Sequence, residues 1–91
     1  MKIYIVEDEI AIRTELTVLL KKYGYSCESS DDFEHITDSI MKAEPNLVLV
    51  DINLPFWDGF VICREIRKIS DVPIIVLTSR NTDFDELMRL A

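Results

Sequence analysis

Apolar residues follow two rhythms along this chain. Ile3-Tyr4-Ile5-Val6, Leu47-Val48-Leu49-Val50 and Ile74-Ile75-Val76-Leu77 are short unbroken runs. Their length and β-branched content predict strands buried on both faces. Between them the period changes. Ile12, Leu16, Leu19, Leu20 and Tyr23 recur at helical spacing, with Arg13, Glu15, Lys21 and Lys22 mostly opposite, and Gly24 is placed to end that helix. Residues 25–29 predict a polar second strand that suits a sheet edge. Asp31 or Asp32 can cap the next helix, whose apolar positions are Phe33, Ile36, Ile40 and Met41. His35 lies off that stripe and receives no role. Pro45 breaks the helix. A third helix starts near Asp58, with Phe60, Cys63 and Ile66 inward and Arg64, Glu65, Arg67 and Lys68 wet. After the Asp71-Val72-Pro73 loop and the fourth strand, residues 82–91 read as the start of a helix with Phe84, Leu87 and Met88 on its apolar side.

Strands alternating with helices predict an α/β fold with helices on both faces of a parallel sheet. Crossovers of this kind are right-handed. The polar second strand belongs at an edge, so the first strand lies between it and the third. The expected order is 2-1-3-4, with a switch between strands 1 and 3, and ligands bind beyond the carboxyl ends of strands at such a switch.

Three acidic side chains fall there. Glu7 and Asp8 follow the first strand, and Asp51 follows the third. Neighbouring strands lie about 4.8 Å apart, so the carboxylates meet. Like charges that close either raise a pKa or bind a cation. An all-oxygen set favours magnesium, which takes a few carboxylates and keeps waters. Thr78 ends the fourth strand beside Asp51 and offers a hydroxyl to a phosphoryl oxygen. Asp51 can attack phosphorus to form an acyl phosphate when a metal neutralises the developing charge. A lone carboxylate after a strand often only caps the next helix, and Asp8 suits that role in part. Three at adjacent strand ends are harder to produce by accident.

Ninety-one residues make one small domain. Ten basic residues against 17 acidic ones give a net charge of −7, which disfavours binding of nucleic acid or anionic membrane by this segment. No apolar run approaches a membrane span, and acidic residues from Glu7 onward exclude a signal-peptide pattern. The expected location is cytoplasmic. Cys27 and Cys63 lack metal-type spacing and read as reduced, packed thiols.

Four segments, in order, are Val6-Glu7-Asp8-Glu9, Leu49-Val50-Asp51-Ile52-Asn53-Leu54-Pro55, Asp58-Gly59 and Pro73-Ile74-Ile75-Val76-Leu77-Thr78-Ser79. With these the chain resembles the receiver domain of bacterial two-component response regulators, a flavodoxin-like three-layer fold. The resemblance implies that Asp51 accepts a phosphoryl group from a sensor histidine kinase. It implies that Asp8 holds Mg2+ directly, Glu7 through water, and Asn53 through its backbone carbonyl. Thr78 then resembles the switch hydroxyl, and Asn53 and Arg80 sit where the family tunes the lifetime of the phosphorylated state. The family's fifth strand, fifth helix and phosphoryl-contacting lysine lie beyond the resemblance, which spans roughly the first three quarters of a receiver. Lys68, on a wet helix face, does not replace that lysine, so the chain as it stands is expected to react poorly.

The expected role is signalling rather than enzymatic turnover. Output is expected through a DNA-binding effector domain outside these residues, by analogy of fold. Phe56 and Trp57, after the site, read as one packed and one exposed aromatic. A small aspartyl-phosphate phosphatase would want an acid where Asn53 stands. A flavin-binding module would want a phosphate-cradling loop where Glu7-Asp8-Glu9 stands. The apolar fourth strand, with nothing after it to cover its edge, is expected to drive self-association.

Overall fold

The computed structural model describes residues 1–52, 54 and 58–77. Strand β1 (Lys2–Val6) leads into helix α1 (Ile10–Lys22), strand β2 (Ser26–Ser29), helix α2 (Ile36–Ala43), strand β3 (Leu47–Asp51), helix α3 (Gly59–Arg67) and strand β4 (Ile74–Leu77). All pairings are parallel and the order is β2-β1-β3-β4, as the polar second strand implied. The expected helix over 82–91 and the aromatics Phe56 and Trp57 lie outside the described residues.

Alternation along the strands sorts the side chains into two layers. Tyr4, Val6, Val48 and Val50 face α2 and α3, where Ile36, Ile40, Ile62, Ile66 and Leu54 complete a buried core. Ile3, Ile5 and Leu49 face α1, where Leu16 and Leu20 pack on them. The second layer is thinner. No residue of α1 is fully buried, and Leu19 and Tyr23 of its predicted apolar face are exposed. Leu16 and Leu20, one turn apart, are the α1 residues that pack on this core. On the same face Ile75 of β4 is 47% exposed.

The helix ends follow from local chemistry. Past Lys22, Gly24 has φ +89° and donates to Lys21 O at 3.0 Å, while Tyr25 donates to Leu20 O at 3.1 Å. That pair of bonds closes the helix through a left-handed glycine. Asp32, rather than Asp31, caps the short 3-10 turn Phe33–His35 by accepting from His35 N. His35 is exposed and its ring pairs with Asp32 at 2.9 Å, a contact that raises the imidazole pKa. Helix α2 stops at Ala43, and Glu44, next to Pro45, takes a left-handed φ of 49°. A residue before proline is disfavoured in the helical region. Lys2 ties this corner to β1: its Nζ donates to Ala43 O at 2.8 Å and its backbone N–H to Asn46 Oδ1 at 2.8 Å.

Helix α3 corrects the predicted phase. Gly59, Ile62 and Ile66 form its buried stripe, Cys63 is half-buried, and Phe60 is 55% exposed. Ile62 and Ile66 are one turn apart, which places Phe60 on the flank. There Phe60, Cys63, Arg64 and Arg67 line an open groove against Ile74 and Val76. No helix among the described residues is long and apolar enough to cross a membrane.

Candidate functional site

The site is a product of register. Val6 of β1 lies level with Val50 of β3, so the next residues, Glu7 and Asp51, stand side by side where these strands end. Asp51 in turn lies level with Leu77 of β4. The backbone just past Asp51 is held as well, because Ile52 donates its N–H to Leu77 O at 3.0 Å. A hydrophobic run that ends at a carboxylate thus delivers that carboxylate to the C-terminal edge of a sheet buried beneath it.

Glu7 and Asp51 are 4% and 3% exposed, the two buried acidic residues among those described. Asp8 is half-buried. One oxygen from each of the three can lie within 4.8 Å of the other two. Burial first, and its hydrogen bond to Asp51 second, push the Glu7 carboxyl up from its ordinary 4.5 to about 8. Without a cation, the pair lowers its mutual repulsion by keeping a proton on Glu7. The donor set is all oxygen, at one mouth, with excess negative charge, and this fits a hard divalent cation such as Mg2+.

Glu7 has a second task that sequence reading missed. Its Oε1 accepts from Glu9 N at 3.0 Å, which turns the chain from β1 into α1. Glu9 is the N-cap residue and makes no side-chain cap. The capping role considered for Asp8 is therefore not seen, and Asp8 stays turned to the cluster. No periodic signal marks such a two-residue turn.

On the far side of Asp51, α3 begins. Asp58 caps it by accepting from Phe60 N at 2.8 Å, and its carbonyl accepts from Val61 and Ile62. Gly59 lies so near β3 that a Cβ built on it would stand 2.6 Å from Asp51 O and 2.6 Å from Ile52 Cα. Asn53, Thr78 and Arg80, the other predicted site residues, lie outside the described residues. Lys68 pairs with Glu65 at 3.2 Å on the exposed face of α3, away from the acidic cluster. Cys27 and Cys63 are free thiols whose pKa values burial raises.

Comparison with known proteins supplies a context for this geometry. The family model described as "Response regulator receiver domain" matches residues 3–90. The transcriptional regulatory protein YxdJ of Bacillus subtilis (strain 168) is 43% identical over 89 residues, covering 98% of this chain and 39% of the relative. The chain thus spans about two fifths of the length of the curated relatives it matches. The N-terminal domain of the nisin resistance regulator NsrR, a lantibiotic response regulator, superposes with a TM-score of 0.81 at 38% identity, covering 98% of this chain and 75% of that one. A complex of histidine kinase ThkA with response regulator protein TrrA matches with a TM-score of 0.78 at 28% identity, covering 98% and 93%.

Proposed function

The chain belongs to the response regulator receiver domain family, and from that premise we propose that Asp51 accepts a phosphoryl group from a sensor histidine kinase. The observation that carries the proposal is the buried Asp51 carboxylate beside Glu7 and Asp8 at one strand edge. An Asp51 oxygen attacks phosphorus in line with the donor's P–N bond. The new O–P bond forms as that bond breaks, and the imidazole leaves with its electron pair. The low exposure of Asp51 restricts water at the resulting acyl phosphate.

Glu7, Asp8 and Asp51, with the Asn53 carbonyl, are the groups that would hold Mg2+. The bound cation would neutralise charge on the transferring phosphoryl group. Glu7 holds the β1 to α1 turn through Glu9 N, which keeps Asp8 at the mouth. Thr78 follows in sequence Leu77, the β4 residue level with Asp51, and is proposed as the hydroxyl that closes on the phosphoryl oxygens. We assign the chain a cytoplasmic signalling role in which phosphorylation controls transcription through a DNA-binding domain. The description of YxdJ as a transcriptional regulatory protein and the ThkA–TrrA complex support the output and the partner.

The test is treatment with a small phosphodonor and Mg2+, read by intact mass. Slow addition of one phosphoryl group is expected on the wild type and none on Asp51→Ala. Modification that survives Asp51→Ala would overturn the assignment.

A further inference from the structure

Helix α3 touches the candidate acceptor through a residue with no side chain. The Asp51–Ile52 peptide is trans, so its carbonyl and N–H point in opposite directions. The N–H side is held by Leu77 O at 3.0 Å. The carbonyl side is covered by Gly59, with space too small for a methyl group. The helix is anchored one and two turns further on, where Ile62 and Ile66 are 5% and 0% exposed in the core. Its first turn is also fixed by the Asp58 cap.

We propose that Gly59 is a positioning residue for Asp51: the first turn of α3 and the end of β4 clamp the Asp51–Ile52 peptide, and the absence of a Cβ at position 59 sets where the acceptor carboxylate stands. This rests on the reading of Asp51 as acceptor. A Cβ at position 59 must move from 2.6 Å to the 3.4 Å of ordinary contact, a displacement of about 0.8 Å. With α3 anchored, that displacement falls on the peptide of Asp51. A misplacement on the order of 1 Å at a reacting group costs about a hundredfold in rate. Gly24 is the matched contrast. Its φ of +89° makes any substitution strained, yet nothing lies within 4 Å of its built Cβ, and it caps α1 away from the cluster.

The experiment compares Gly59→Ala, Gly24→Ala and Asp51→Asn with the wild type. Mg2+ affinity is measured by calorimetry, phosphorylation by intact mass with a small phosphodonor, and the Asp51 and Ile52 amide resonances by NMR. Gly59→Ala is expected to retain the fold, shift both amides, lose Mg2+ affinity and react about a hundredfold more slowly. Gly24→Ala is expected to melt at a lower temperature with Mg2+ affinity and both amides unchanged. Should Gly59→Ala unfold, the same readings are taken in trimethylamine N-oxide, which favours the compact state. Gly59→Ala with amides, affinity and rate at wild-type values overturns the proposal, as does an equal loss in both glycine variants. Failure of the acceptor reading looks different: Asp51→Asn would then bind Mg2+ and react as the wild type does. In that case the amide shifts alone still decide whether Gly59 sets the Asp51 backbone.

Discussion

Replacing Glu7 with glutamine should make the chain without metal more stable at high pH. The Glu7 carboxyl is 4% exposed, and burial and Asp51 raise its pKa from 4.5 to about 8. The folded chain therefore keeps a proton that the unfolded chain releases above about pH 4.5. Stability is highest below that value and declines as pH rises towards 8, because the native state binds more protons over that range. At about 1.4 kcal/mol per pKa unit the full shift sets an upper bound of roughly 5 kcal/mol. Asp8 is half-buried, and relaxation and water penetration on its side make the expected loss smaller than this bound. Glutamine retains the carbonyl that accepts from Glu9 N but carries no titrating proton. Urea unfolding in a chelator at pH 5.5 and pH 9 is the assay. The wild type should lose stability between the two, and Glu7→Gln should lose much less. Added Mg2+ should restore the wild type at pH 9 more than the variant, because the cation favours the ionised carboxylate. An equal decline in both chains would refute the argument and place the titrating group elsewhere.

Two further outcomes are expected. Tyr4 is 1% exposed, burial raises its hydroxyl pKa, and Ser39 and Ser30 stand near enough to act on it; Tyr4→Phe should cost about 1 kcal/mol in urea unfolding, and a neutral result would mean that the hydroxyl makes no net contribution. Ile75 is 47% exposed on β4, the outer strand among the described residues; the 91-residue chain should self-associate in light scattering across a concentration series, Ile75→Lys should weaken this, and a strictly monomeric wild type would show the edge to be protected.

The parts of the fold that could be read in the sequence are those set by short-range pattern. Leu47 to Val50 announced a central strand because no polar residue breaks the run, and Ser26, Glu28 and Ser29 announced an edge for the opposite reason. Those two facts suffice for the strand order, and the order suffices to bring Glu7 and Asp51 together. Phe60 was misplaced because it and Ile62 lie only two residues apart, and apolar pattern alone does not say which of them faces a sheet. Tyr23 and Leu19 were misplaced because periodicity reports an apolar face whether or not a neighbour covers it. The Glu7 turn and the close approach of Gly59 depend on distances between elements, and no local pattern carries them.

The first strand to be synthesised is also an inner strand of the sheet. β1 must wait for both neighbours, β2 ending at Ser29 and β3 ending at Asp51. At about 5–20 residues per second, β3 emerges seconds after β1. The nascent chain can add β2 early, but the other side of β1 stays open until residue 51 has been made. The sheet thus grows outward in the order of translation, with β4 the last of the described strands. All three clustered carboxylates, and the glycine that lies against the Asp51 carbonyl, are encoded by residue 59. A pause after β3 has left the ribosome, but before β4 has, would leave a nascent chain with its acidic residues emerged and its β3 rim unpaired.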